Sequence, residues 1–184
     1  GLTIGEYAKM INGEKWLNNK IQAKLTVIKM DNYNREYEYQ LKSKPSPNLP
    51  NLKSINLYPS LCFFEQTPVS VGRGTEMQFQ VIGSPNWNNQ PFSFTPRPNF
   101  GAKNPKHNGI KCFGLDLRDE NRLSEINLEW LINAYNYSPE KEKFFRSGFY
   151  RLAGKKELED QIKAGMSAKD IKSCLLYTSD AADD

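Results

Sequence analysis

Histidine is almost missing from this chain and cysteine is scarce, with one histidine and three cysteines in 184 residues. His107 cannot build a histidine-rich metal site, and Cys62, Cys112 and Cys174 have no C-x-x-C spacing, so no metal centre is expected. Cys62 and Cys112 stand among apolar residues and read as buried thiols; cysteine usage this low sets no redox compartment. A run of about twenty apolar residues is also lacking, so no transmembrane segment is expected. Blocks of five like charges do not occur. The 25 basic and 21 acidic residues leave a net charge of +4. The basic residues are scattered over positions such as Lys42, Lys53, Lys103 and Lys106, which argues against nucleic-acid binding. Ser70 lacks a glycine-elbow context and His107 lies in a Lys/Asn-rich loop where a lone histidine is normally solvated, which removes a serine-hydrolase reading. No feature calls for a cofactor or sets an oligomeric state.

The hydrophobic share of 38% and the aromatic share of 12% suffice for a core and argue against disorder. The most informative stretch is Tyr58 to Thr75, YPSLCFFEQTPVSVGRGT. An apolar run from Leu57 to Phe64 would bury itself. Glu65 follows at its edge. Val69-Ser70-Val71 alternates like a buried strand, and Gly72-Arg73-Gly74-Thr75 closes the stretch. Gly72 and Gly74 permit backbone angles other residues resist and allow close approach of a ligand. Between them Arg73 offers a planar guanidinium that pairs two-pronged with carboxylate or phosphate. The plainer alternative is an ordinary ion pair of Arg73 with Glu65 or Glu76.

Elsewhere, Thr3 with Glu6 forms a capping-box pattern that opens a helix ended by Gly13. Residues 25–30 (LTVIKM) read as a strand, followed by a polar loop holding Tyr33 and Arg35. KPSPNLP (44–50) is a stiff extended segment that either links or walls a groove presenting Asn48. Residues 51–64 have helical spacing, with Pro59 as a kink or restart. Residues 77–83 read as a strand. Ser84 to Pro98 carries four prolines and reads as a boundary, with Trp87, Phe92 and Phe94 packing on something. Residues 110–117 form a strand with Gly114 a possible bulge. Leu123, Ile126, Trp130, Leu131, Ala134 and Tyr135 share one helix face. Ser138-Pro139 looks like a helix start, a helix over 155–164 ends at Gly165, and Ser167 with Asp170 caps another. The final residues 174–184 (CLLYTSDAADD) break the pattern and resemble the translation of a sequencing adapter, so they are set apart from fold reasoning.

Several segments together resemble the C-terminal part of the NamZ-type exo-β-N-acetylmuramidases. They are GLTIGEYAKMINGE (1–14), LTVIKMDNYNRE (25–36), PSPNLP (45–50), the stretch 58–75, FQVIGSP (79–85), FTPRPNFGAKNPKHNGIKCFGLDL (94–117) and LAGKKELEDQIKAG (152–165). Departures are an apolar Val71 where some relatives are acidic, Tyr33 in place of tryptophan, and Gln66 in place of a common glycine. The resemblance implies a glycosidase that releases N-acetylmuramic acid from non-reducing ends of peptidoglycan fragments, acting after export to the periplasm or outside the cell. It also implies an α/β fold, with the end of a Rossmann-like domain over residues 1–88 and a smaller mixed C-terminal domain over 89–173. The expectation is then a fragment, inactive by itself, that lacks a main catalytic carboxylate.

Within that family the implied partner is a peptidoglycan-derived saccharide. N-acetylmuramic acid carries a lactyl carboxylate, and Arg73 is the residue expected to clamp it, with Ser70 and Thr75 as hydroxyl partners and Gly72 and Gly74 shaping the turn. Arg35, Tyr33 and Asn48 are expected on the groove wall. Glu65 is either the second carboxylate that glycoside hydrolysis ordinarily uses or the group that orients Arg73. The orienting role is preferred, because a carboxylate paired with a guanidinium is a poor proton donor. The alternative for the whole chain is a saccharide-binding protein without catalysis.

Overall fold

The computed structural model of the chain describes residues 2–34 and 39–180. Its backbone separates into two units, Gly1–Tyr39 and Gln40–Asp184.

In the first unit, helix α1 (Ile4–Gly13) begins as its residues dictate. The Glu6 amide donates to the Thr3 hydroxyl at 3.2 Å, and the Thr3 amide donates to the Glu6 carboxylate at 2.7 Å. Two amides that a helix start leaves unpaired are thereby satisfied. On the last turn, Asn12 donates to the Ala23 carbonyl at 2.9 Å and accepts from the Ala23 amide at 2.7 Å, which holds the following segment against α1. The expected strand over 25–30 does not form, and these residues have no regular structure. A strand is completed only by a neighbour that takes its backbone hydrogen bonds, and among the described residues of this unit none does so. Val27 instead lies against Gly5, where an added Cβ would come within 2.6 Å of its Cγ1.

The second unit carries the core. Asn51 caps α2 (Leu52–Leu61), and Pro59 falls in its last turn. The chain then tightens into a 3-10 turn, Cys62–Gln66. Three short strands, β1 (Val81–Ser84), β2 (Phe92–Phe94) and β3 (Cys112–Asp116), form one antiparallel sheet in the order β1-β3-β2. The architecture is thus mixed α and β. Four expectations change here. Residues 77–80 form a turn, so β1 starts only at Val81. The stretch 84–98, read as a breaker, contains β2, because Phe92 and Phe94 find register opposite Gly114 and Cys112 between flanking prolines. The strand expected at Val69–Val71 shrinks to a single bridge between Ser70 and Gly83. Gly114 is not a bulge: it lies in continuous register opposite Gly83, and a Cβ on it would sit 1.9 Å from the Ile82 carbonyl oxygen.

Leu57, Leu61, Phe64, Leu131, Phe149 and Ile171 are fully buried in one cluster that joins α2 to the C-terminal helices. Each contributes roughly 1.5–3 kcal/mol by leaving water. A smaller cluster gathers Val81, Phe94 and Cys112; burial pushes the Cys112 thiol up to about 11. The helices that complete the unit are α3 (Glu129–Tyr137), α4 (Phe149–Ala153), α5 (Glu157–Lys163) and α6 (Ala168–Asp180). Helix α3 starts later than the apolar spacing suggests. Asn56 of α2 donates to the Leu123 carbonyl at 2.8 Å and accepts from its amide at 2.9 Å, so Leu123 packs as extended chain. Ser138 ends α3 instead of opening a helix, and only a short turn, Lys141–Lys143, follows. The Ser167–Asp170 cap forms as its spacing suggests, with the Asp170 amide donating to Ser167 Oγ at 3.1 Å.

Candidate functional site

The 3-10 turn after α2 places Glu65 at the rim of the core, since Phe63 and Phe64 are buried beside it. Thr67 closes that turn, donating through Oγ1 to the Phe64 carbonyl at 2.9 Å. The chain then bridges to β1 at Ser70 and reverses through Gly72 (φ 77°) and Gly74 (φ 81°). Glycine is required at both positions. An added Cβ would lie 2.6 Å from the Met77 carbonyl oxygen at Gly72 and 2.6 Å from the Arg97 carbonyl oxygen at Gly74. The close approach is to the protein's own backbone, and the turn leaves Arg73 facing the 3-10 turn that carries Glu65. Arg73 pairs with Glu65, and its guanidinium carbon lies 5.2 Å from the centre of the Phe79 ring. A half-exposed ion pair of this kind adds roughly 1 kcal/mol or less to stability; its larger effect is to fix where the guanidinium points.

Glu65, Ser70, Arg73, Lys103, Lys106 and Arg146 line a hollow of about 370 Å³. Four basic side chains thus face one carboxylate. Lys106 is the most constrained of them. Its ammonium donates to the carbonyl oxygens of Phe64 (2.7 Å), Glu65 (3.1 Å), Thr67 (2.7 Å) and Val69 (3.1 Å). Three protons serve four acceptors, so at least one is shared. Burial, with Arg146 and Arg73 adding repulsion against the attraction of Glu65, pulls its pKa down to about 7. The neighbouring His107 ring meets the Pro68 carbonyl at 2.7 Å. Together they staple the 64–69 segment that carries Glu65. Arg146 is held by its backbone, whose amide donates to the Gln66 carbonyl at 2.9 Å. Chemically, this hollow suits an anion.

The residues singled out from sequence divide into groups. Glu65, Ser70 and Arg73 come together in the hollow. Gly72, Gly74 and Thr75 build the turn beneath it, with Thr75 donating through Oγ1 to the Gly72 carbonyl at 2.7 Å. Asn48 is buried and donates to the Gly101 carbonyl at 2.7 Å, supporting the facing loop without lining the hollow. Tyr33 belongs to the first unit and is 56% exposed. Arg35 lies outside the described residues. His107, expected to be solvated, is half-buried and bound. Lys103, Lys106 and Arg146 were not singled out as site residues. A signal for Arg146 exists, since it directly follows the buried pair Phe144 and Phe145, which fixes its backbone. For Lys106 there is none, because its four acceptors lie 37–42 residues earlier in the chain.

Comparison with known proteins assigns the chain to a family. The family description "exo-beta-N-acetylmuramidase NamZ, C-terminal" matches residues 56–180, and its N-terminal counterpart matches residues 1–53. The chain belongs to the NamZ family. It is 31% identical over 191 residues to the peptidoglycan beta-N-acetylmuramidase NamZ of Bacillus subtilis (strain 168), covering 93% of this chain and 45% of that protein. Among solved structures, a DUF1343 family protein from Bacteroides fragilis aligns with a TM-score of 0.86 and 45% identity, covering 94% of this chain and 50% of the other. A second Bacteroides fragilis protein of that family aligns with a TM-score of 0.64 at 22% identity, over 94% and 51% of the two chains, and shares the fold. The chain therefore spans about half the length of the relatives it matches.

Proposed function

We propose that this NamZ-family chain forms the anion-holding wall of an exo-β-N-acetylmuramidase site, which takes terminal N-acetylmuramic acid from the non-reducing end of peptidoglycan fragments. Family membership supports the glycosidase class. The observation that carries the substrate is Arg73, fixed by Glu65 and Phe79 at the edge of a hollow that also presents Lys103, Lys106 and Arg146. The lactyl carboxylate distinguishes muramic acid from the neutral sugar next to it, and a guanidinium takes a carboxylate through two parallel hydrogen bonds. Ser70 adds a hydroxyl at the same hollow.

Glu65 orients Arg73 in this reading. Glycoside hydrolysis ordinarily needs an acid and a second carboxylate. Glu65 is the one carboxylate lining the hollow among the described residues, and it is already engaged. The reacting carboxylate then comes from the other half of the family's length, together with most of the Rossmann-like domain, and the chain alone binds without cleaving. The same observation favours the second reading, a saccharide-binding protein with no hydrolysis. With that substrate, the expected location of either protein is the periplasm or outside the cell.

The test is Arg73→Ala. In a calorimetric titration of the 184-residue chain with N-acetylmuramic acid, the variant is expected to bind roughly 10- to 100-fold more weakly, the loss of a charge-assisted pair worth about 1.5–3 kcal/mol. Unchanged affinity would remove the clamp. Turnover of a chromogenic muramic-acid glycoside by the complete protein separates the glycosidase from the binding protein.

A further inference from the structure

The segment 64–69 links the 3-10 turn to the Ser70 bridge, and every carbonyl oxygen along it is held. Phe64 accepts from the Thr67 amide at 3.0 Å, as a 3-10 turn requires. The next bond of that pattern would run from residue 68 to the Glu65 carbonyl, but Pro68 has no amide proton. The Lys106 ammonium takes its place, donating to Glu65, Thr67 and Val69 as well as to Phe64. The Gln66 carbonyl receives the Arg146 amide at 2.9 Å, and the Pro68 carbonyl meets the His107 ring at 2.7 Å.

Four carbonyl oxygens lie 2.7–3.1 Å from one nitrogen. Converging carbonyl oxygens are what replaces the hydration shell of a potassium ion, and a lysine ammonium is a compact charge of the same kind. All its protons are engaged there, so none is left for a guest in the hollow. Phe64, Thr67 and Val69 are buried, and buried carbonyls need a partner. The same loop also reaches the other side of the ion pair. Pro105 lies against Gly74, where an added Cβ would come within 2.7 Å of its ring. Residues 105–107 therefore hold the backbone next to Glu65 and the backbone next to Arg73.

We propose that Lys106 serves as a built-in monovalent cation: its ammonium fills a carbonyl-lined cation site, positions Glu65 and through it Arg73, and leaves a site for a potassium or ammonium ion when the side chain is removed. The effect on Arg73 rests on the reading of the hollow as the muramic-acid site; the cation site does not. Lys106 is a positioning residue in this account and does not touch the substrate. With no cation present, the freed carbonyls turn towards water, the segment shifts, and Arg73 loses its fixed partner. A lysine that merely added positive charge to the hollow would act on an anion independently of Arg73.

Lys106→Ala in the 184-residue chain tests both parts. Its thermal midpoint is compared in potassium, ammonium and tetramethylammonium chloride at equal ionic strength. The first two salts are expected to raise it above the third, whose cation is too large for the site. The wild type, and Lys106→Met with its space filled, should respond alike to all three. An equal response of Lys106→Ala to the three salts overturns the cation site. Calorimetric titration with N-acetylmuramic acid follows, in tetramethylammonium chloride and below the Lys106 pKa of about 7. The alanine variant is expected to bind roughly 10-fold more weakly than the wild type, and potassium chloride to restore the affinity. Added to Arg73→Ala, it should cost nothing further, because residues acting in series do not add. An additive loss, or an affinity equal to that of the wild type, overturns the positioning role and leaves the Arg73 clamp standing. If the wild type itself does not bind, the muramic-acid reading fails and the positioning role with it, while the thermal midpoints still decide the cation site.

Discussion

The two units of this chain hold similar apolar side chains with opposite burial. In residues 2–34, Ile4 and Ile28 are each 90% exposed, Met30 is 71% exposed and Trp16 is 63% exposed, and α1 has no buried residue. In the second unit, Leu57, Leu61, Phe64 and Phe149 are fully buried. Yet α1 is as well formed locally as α2, with a complete capping box at each N-terminus. The difference teaches that hydrogen bonding at a helix end and cover for its apolar face are independent. Local sequence supplies the first; the second depends on what the rest of the unit brings alongside.

The largest test of this contrast is a pair of truncations. Phe64→Ala should lower the unfolding free energy by about 3–5 kcal/mol, whereas Ile4→Ala should change it by less than about 0.5 kcal/mol. Urea denaturation of both variants measures this, and a comparable loss at Ile4 would break the comparison.

A smaller effect concerns the most confined cation of the second unit. Burial, Arg146 and Arg73 lower the Lys106 pKa from 10.5 to about 7 in the folded protein, against the pull of Glu65. Between these values the unfolded chain binds the extra proton and the folded one does not, so stability rises with pH across that window. Below it both states are protonated and the full cost of confinement remains. Lys106→Met should flatten the rise between about pH 7 and 10. Equal slopes for wild type and variant would show that the four carbonyl oxygens hold the ammonium charged throughout.

The smallest expected effect lies in the first unit. Thr3→Ala removes the cap of α1 and should cost about 1 kcal/mol of helix stability. Faster amide exchange in the first turn of α1 would report it, with the urea midpoint of the second unit unmoved.

Legibility followed the range of the interactions. The Thr3–Glu6 and Ser167–Asp170 caps span three residues and were readable. The Glu65–Arg73 pair spans eight residues, within one stretch whose glycines already marked a turn. The strand expected over 25–30 was not realised, because β-branched residues state a preference and a neighbouring strand must fulfil it. Phe92 and Phe94 were hidden among prolines, and only pairing with β3 makes them a strand. Family membership was readable from several long segments at once, which no single spacing could provide.

By itself, the sequence determined the local starts and stops of helices, the glycine turn that aims Arg73, and the apolar residues able to form a core. These depend on backbone angles and on partners a few residues away. Only the tertiary structure decided that Lys106 and His107 would clasp the 64–69 segment, that Arg146 would share the hollow with Arg73, and which apolar residues would be covered. Those outcomes require distant segments to meet, and desolvation and charge act on whatever groups that meeting brings together.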